Sequence, residues 1–547
     1  MVKRKNPILN SIISILNDQI EKRNIDSEEK RSQNKYDRRS FLKEGGLGSI
    51  GVALTLSLPA IFDSCRSNPK ESDENILDIA ILGAGIAGLN CANHLLKSGL
   101  QFQIFEASHR IGGRILTHYN DSLGLGIFPE FGGDFIDSDH KDMLALAKEF
   151  DLELIDLIEE QESKKLIKDI YYFDNRIIEE KEIINEFVKI ADKIARDRTS
   201  LGEDYNTPMA VELDNMPLSA YISALPCKTW LKDLLMAAFV AEYGLDCDDQ
   251  STLNFLDLIE TDTSAGFKVF GESDERYRIM GGNSKIIDGL LKKIGPEKVQ
   301  KGQEVNEIQE LQNGSYLIRF SNQKEVKARA IVCTIPFTIL RKIKLNLRQI
   351  PSEKRRCIDE LGYGMNTKLV LGYEGTPWSD SENRAMGYLF HKEIVNGWDS
   401  SYNKTANNQN GTYVTYFGGR FSENLNSISF KNKMAPPTHI WKTALPEKTV
   451  SGIVEELGKI FKHSKEKFLN KHVFVNWIDF PWAKGSYSCY KPGQWTSIAG
   501  WEMKPVGNFF FAGEHCSEMF QGFMNGAAET GKRAAQQALT KIKVEKS

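Results

Sequence analysis

Residues 76–88 read Ile76-Leu77-Asp78-Ile79-Ala80-Ile81-Leu82-Gly83-Ala84-Gly85-Ile86-Ala87-Gly88, and Phe102-Gln103-Ile104-Phe105-Glu106 follows one helix length later. The apolar run 79–82 predicts a buried parallel strand, and 89–100 predicts the helix behind the glycine turn. Each glycine has its own task. Gly83 permits the tight turn, Gly85 lets backbone approach a pyrophosphate, and Gly88 lets helix pack on strand. Ala84, Ile86 and Ala87 belong to the same turn, where the helix N-terminus faces the phosphates. Glu106 stands 18 residues past the last glycine and ends a second short strand, where a carboxylate hydrogen-bonds ribose hydroxyls. Three glycines alone are a weak signal. Strand, turn, helix, second strand and acid together identify a dinucleotide site.

The stretch continues Glu106-Ala-Ser-His-Arg110-Ile-Gly112-Gly113-Arg114. Here the chain resembles the flavin-containing amine oxidase family, which includes monoamine, polyamine and L-amino acid oxidases. The resemblance spans about residues 76–540. It implies an α/β fold, with a Rossmann-like FAD-binding domain in discontinuous segments and an interleaved α+β substrate domain. It also implies that Arg110 or Arg114, with Gly113, contacts the diphosphate, and that Gly132, Gly133, Asp134 and Phe135 pass close to the flavin ring. Val305 is implied to lie against the adenine by backbone contact. Near the C-terminus, Gly513-Glu514 and Gly522-Phe523-Met524-Asn525-Gly526 form a strand, turn and helix that aim a helix N-terminus at the flavin edge where negative charge accumulates on reduction. Glu514 resembles the acid that many relatives use on the ribityl chain.

For the chemistry, the resemblance implies a lysine that reaches the flavin through water. Met365-Asn366-Thr367-Lys368-Leu369-Val370 matches its setting in a strand, which makes Lys368 the candidate. Tyr487 and Phe523 stand where two aromatic side chains flank the amine; a phenylalanine keeps the π face and loses a hydroxyl. Ser486 occupies the position where some relatives carry a cysteine bonded to flavin, so noncovalent FAD is expected. An amino acid substrate requires a fixed cation for its carboxylate. The segment 132–136 carries no arginine, which favours an amine without a carboxylate, although Arg276, Arg278 or Arg384 remain available. Asp134 has two readings, attraction of a cationic amine or capping of a turn.

The expected function is oxidation of an amine to an imine, with oxygen reduced to hydrogen peroxide. The competing readings are an L-amino acid oxidase, a flavin desaturase or dehydrogenase, and a flavin-binding protein without chemistry.

At 547 residues the chain exceeds one compact core, so two intertwined domains are expected. Residues 76–140, 270–335 and 502–542 are assigned to the FAD domain, and 141–269 with 336–501 to the substrate domain with its helical insertion. A formal net charge of −4 gives no bulk attraction to nucleic acid.

The region 1–65 differs in character. Arg38-Arg39-Ser40-Phe41-Leu42-Lys43 precedes an apolar, glycine-containing run over 45–62. This pattern reads as a twin-arginine export signal, followed by a linker over 66–75, and places the protein in the periplasm or cell envelope. The run is short and glycine-rich beside the ~20 strongly apolar residues of a permanent span. Cys65 stands where a lipoprotein signal puts its lipidated cysteine, behind an atypical Asp63, so membrane anchoring there is left open. Asn6 and Pro7 open a helical pattern over 7–20. The eight cysteines show no metal-ligand spacing, so no metal is expected, and Cys91 and Cys333 read as core thiols.

Overall fold

The computed structural model describes residues 76–431 and 443–546. The export signal, Cys65 and the 7–20 pattern lie outside the described residues. Two large sheets organise the rest. The first runs in the order Lys344–Asn346, Val305–Glu310, Tyr316–Phe320, Glu325–Cys333, Ile76–Leu82, Phe102–Phe105, Val299–Gln300, with Phe509–Phe511 paired to the second half of Glu325–Cys333. Ile76–Leu82 and Phe102–Phe105 are parallel, with Ile79 opposite Phe102 and Leu82 opposite Phe105. Residues 78–82 are buried on both faces, as a continuous apolar run requires.

The crossover helix spans Ile86–Leu95, starting three residues earlier than the apolar pattern indicates and stopping well before residue 100. Gly85 takes the cap position, and Ser98 with Gly99, at φ +75°, turns the chain into the next strand. The final helix, Met524–Lys546, packs on the crossover helix. A Cβ on Gly531 would meet the Ala87 carbonyl oxygen at 2.2 Å, so glycine there brings the two helices together.

The second sheet has nine strands, in the order Phe430–Lys431, Thr443–Ala444, Phe468–Asn476, Thr367–Tyr373, Gly411–Phe417, Val395–Asp399, Ala385–His391, Ile167–Phe173, Arg176–Ile178. Two of these strands come from the mainly helical stretch 141–269. The helical pattern there holds for Leu157–Lys164, which Asp156 caps by accepting from the amides of Ile158 and Glu159. Ile167–Phe173 is instead drawn into parallel pairing with Ala385–His391. That pairing overrides local helical spacing. In the other direction, Lys344–Asn346 belongs to the first sheet although the sequence assigns it to the substrate segment.

Helix Thr229–Tyr243 is apolar around most of its circumference and ends at Gly244, φ +72°. That ending sets Ala241, Glu242 and Tyr243 in the wall of the main cavity. Cys91 and Cys333 are buried, and burial pushes both thiols up, Cys333 to about 12.

Candidate active site

A cavity of about 530 Å³ runs from the Gly83–Gly88 turn to the second sheet. At its first end, the opening-turn amide of the crossover helix has no side-chain cap, since Gly85 supplies none. The first-turn N–H groups are left for an outside acceptor. Gly85 sits so close to Gly113 that a Cβ on Gly113 would lie 3.1 Å from the Gly85 Cα. The Glu106 carboxylate lines the same end and accepts from the amides of Ala84, at 2.8 Å, and Ser108, at 2.8 Å. These contacts fix its orientation and leave further lone pairs available.

The two arginines part company. Arg110 donates to the carbonyls of Ile111, Gly113 and Ile115, so it binds its own loop together; burial lowers its pKa to about 10. Arg114 reaches across the fold to the Ser486 carbonyl at 2.6 Å and to Glu514 at 2.9 Å. Glu514 also accepts from the Ser488 hydroxyl at 2.7 Å and the Gly522 amide at 3.0 Å. Burial opposes its charge, yet Arg114 and these bonds hold the carboxyl below its ordinary range. One carboxylate thus ties the GGR loop, the 486–488 segment and the turn before the last helix.

Glycines make the close approaches. A Cβ on Gly132 would lie 1.9 Å from the Arg114 carbonyl oxygen, and one on Gly133 would lie 2.7 Å from the Met524 sulfur. Gly513 has φ +127° and Gly522 φ +91°, in the left-handed half of the map that favours glycine. Val305, buried at the start of its strand, lines the cavity with Gly132, Gly133, Phe135, Gly513, Gly522 and Met524. The bare helix N-terminus, the glycine cradle and the oriented Glu106 fit a dinucleotide.

At the other end the sheet register does the positioning. Lys368 lies opposite Tyr416, Tyr416 opposite Asn396, and Asn396 opposite Phe390, so the four share one face of the sheet. The Lys368 ammonium donates to the Gly132 carbonyl at 2.8 Å, the Glu130 carbonyl at 3.1 Å and Asp134 at 3.3 Å. Burial lowers its pKa, while Asp134 and Glu130 oppose that. Asp134 also accepts from Trp398 Nε1 at 2.8 Å and pairs with Arg278 at 3.4 Å. Asp134 lines the cavity with its carboxylate engaged by these three partners. Glu130 accepts from Thr117 Oγ1 and the Asn283 amide, and burial with nearby Asp134 pushes it up to about 7.

Tyr487 is held because its carbonyl accepts from the Gly364 amide and its neighbour Ser486 donates to the Gly364 carbonyl. Its hydroxyl donates to the Ala241 carbonyl at 2.9 Å, so Tyr416, 3.1 Å away, donates to Tyr487. Phe523 lines the cavity edge-on to His140. Ser486 Oγ donates to Asn366 Oδ1 at 2.6 Å.

No candidate carboxylate clamp lines this cavity. Arg276 pairs with Asp156, Arg278 with Asp134, and Arg384 donates to the Lys165 carbonyl. The sequence reading missed Glu242, Glu275, Tyr388, Asn396, Trp398 and Tyr416, all of which line it. Tyr388, Asn396, Trp398 and Tyr416 signal themselves only by alternation within strands whose register is set elsewhere, and Glu242 and Glu275 come from a helix and a connecting segment.

The model of the family "Flavin containing amine oxidoreductase" matches residues 86–539. Flavin-containing amine oxidase B of Homo sapiens is 24% identical over 486 residues, covering 85% of this chain and 86% of its own. Flavin-containing amine oxidase A of Bos taurus is 23% identical over 496 residues, covering 87% and 88%. Among solved structures, cyclohexylamine oxidase from Brevibacterium oxydans superposes with a TM-score of 0.71 at 20% identity, covering 86% of this chain and all of that one. Putrescine oxidase bound to putrescine gives 0.69 at 17%, covering 85% and 99%.

Proposed function

Because the chain belongs to the flavin-containing amine oxidoreductase family, and is an amine oxidoreductase with FAD as its cofactor, we propose that it is an oxidase for a small amine lacking a carboxylate. The amine is converted to an imine, which hydrolyses, and oxygen takes the two electrons to give hydrogen peroxide. FAD, when bound, supplies the acceptor for the hydride equivalent leaving the carbon beside nitrogen.

The chain's own residues supply binding and exclusion of water. Ala84, Ile86 and Ala87 with the Gly83–Gly88 turn, Glu106 and Arg114 take the diphosphate and ribose. Glu514, Gly513 and the start of the last helix take the ribityl and ring edge, and Val305 the adenine. Tyr487 and Phe523 flank the amine and favour its neutral nitrogen. Lys368 presents its ammonium from the sheet, with Asp134 fixing its position. Ser486 in place of a linking cysteine supports noncovalent attachment.

The observation that carries this reading is the single cavity that joins the glycine turn to Lys368, Tyr487 and Phe523 and includes no arginine at its sheet end. Peroxide release from purified holoprotein tests it across a panel of amines and L-amino acids. Activity with amines supports it; activity with amino acids alone overturns it.

We also propose export by the twin-arginine route, which carries folded and FAD-loaded protein, on the strength of Arg38-Arg39 and the apolar run behind them. Replacing both by lysine should leave the protein in the cytoplasm on fractionation. Unchanged envelope location would contradict this.

A further inference from the structure

The sheet end of the cavity carries acid that the reaction has no use for. Glu242 closes the helix Thr229–Tyr243 and Glu275 precedes the strand Tyr277–Ile279, yet both line the same space. Oxidation of a simple amine calls for a dry, apolar wall around a neutral nitrogen. Two carboxylates facing one enclosed volume repel one another and lose hydration. Burial, Asp137 and Glu242 push the Glu275 carboxyl up to about 8, while its contact with Tyr388 works the other way. Asp137 itself is engaged, accepting from Ser273 Oγ at 2.7 Å and from the Glu275 amide at 3.1 Å.

A separate observation points to a donor arriving from the cavity. Asn396 is 1% exposed, lines the same space, and its Oδ1 has no hydrogen-bond partner. A buried acceptor left unmade is costly, so such groups persist where a ligand satisfies them. In the sheet register Asn396 lies two strands from Lys368, with Tyr416 between, which is about 10 Å at ordinary strand spacing.

We propose that the substrate carries a second cationic nitrogen, and that Glu275, Glu242 and Asn396 hold this distal ammonium while the reacting nitrogen sits between Tyr487 and Phe523. The inference rests on the amine-oxidase reading and narrows it to diamines and longer polyamines. Tyr388 and Trp398, flanking the same region, give aromatic faces to the cation as well.

The test compares diaminopentane with pentylamine, diaminohexane with hexylamine, and diaminopentane with L-lysine, which adds a carboxylate to the same skeleton. For holoprotein, kcat/KM for each diamine should exceed that of its matched monoamine by about 10- to 100-fold, the range of a charge-assisted hydrogen bond. In Glu275→Gln this ratio should fall mainly through a higher KM for the diamine. Matched monoamines turning over as well as diamines would overturn the proposal and leave the oxidase reading standing. L-Lysine equalling diaminopentane would overturn the restriction to diamines and polyamines, and with it the reading of a substrate without a carboxylate. A binding readout is independent of turnover: diaminohexane should raise the melting temperature of holoprotein more than hexylamine does, and Glu275→Gln with an unchanged flavin spectrum should lose the difference. Equal shifts in the original protein would overturn the distal site whether or not any amine is oxidised.

Discussion

Asp134→Asn removes one negative charge from between two buried cations. Asp134, Lys368 and Arg278 have side chains only 4%, 6% and 6% exposed, and the carboxylate lies 3.3 Å from Lys368 and 3.4 Å from Arg278. At an effective dielectric constant of about 20, each attraction is about 5 kcal/mol. Desolvation offsets much of that, and breaking a buried pair by deleting one partner costs about 3–5 kcal/mol because the remaining charge stays unpaired. Asparagine keeps the volume and can still accept from Trp398 Nε1, so the loss reports charge rather than packing. Denaturant unfolding of the holoprotein, at unchanged m-value, should show a drop of about 3 kcal/mol or more. Adding Lys368→Met to Asp134→Asn should recover at least about 1 kcal/mol relative to additivity, since the groups touch. A single-variant loss within about 0.5 kcal/mol, with additive double-variant behaviour, would refute the view that Asp134 holds Lys368 by charge.

Glu106→Ala should purify with little bound flavin; full FAD occupancy would contradict its place at the ribose. Gly132→Ala puts a Cβ 1.9 Å from a carbonyl oxygen and should abolish flavin binding or folding, whereas Gly452→Ala, in open space on the exposed face of the helix Glu447–Ile460, should keep the flavin and gain about 0.5–1 kcal/mol. Similar effects of the two would count against the glycine cradle. His515 is buried with neither ring nitrogen hydrogen-bonded, and burial lowers its pKa to about 3. The unfolded chain takes that proton first, so stability is lost as pH falls from about 6.5 toward 3, by about 1.4 kcal/mol per pH unit. His515→Phe should flatten this slope between pH 6 and 4 in chemical unfolding, and an unchanged slope would exclude His515 as its source.

The ends of the chain spoke clearly in sequence because their functions are local. Gly83, Gly85 and Gly88 act within one turn, and Glu106 follows at fixed spacing, so periodicity and glycine placement sufficed. Phe509–Phe511 and the helix behind it were legible for the same reason. The middle was not. Asn396 and Trp398 acquire their cavity face from strands that start elsewhere, and a shift of one residue would turn both away. Glu275 and Glu242 reach the cavity from separate segments, so neither carries a spacing signal. Ile167–Phe173 falls within the insertion that reads as helical because its partner strand, Ala385–His391, lies more than two hundred residues away. Asp134 was visible as an acid next to glycines, but its partners Lys368, Arg278 and Trp398 belong to three other segments.

Anaerobic addition of an amine to the purified FAD protein, followed by admission of oxygen, tests the central claim most directly. The flavin absorbance should bleach with the amine and return with oxygen, releasing one equivalent of hydrogen peroxide per flavin. A bound flavin that no amine bleaches, while an L-amino acid does so, would contradict the account.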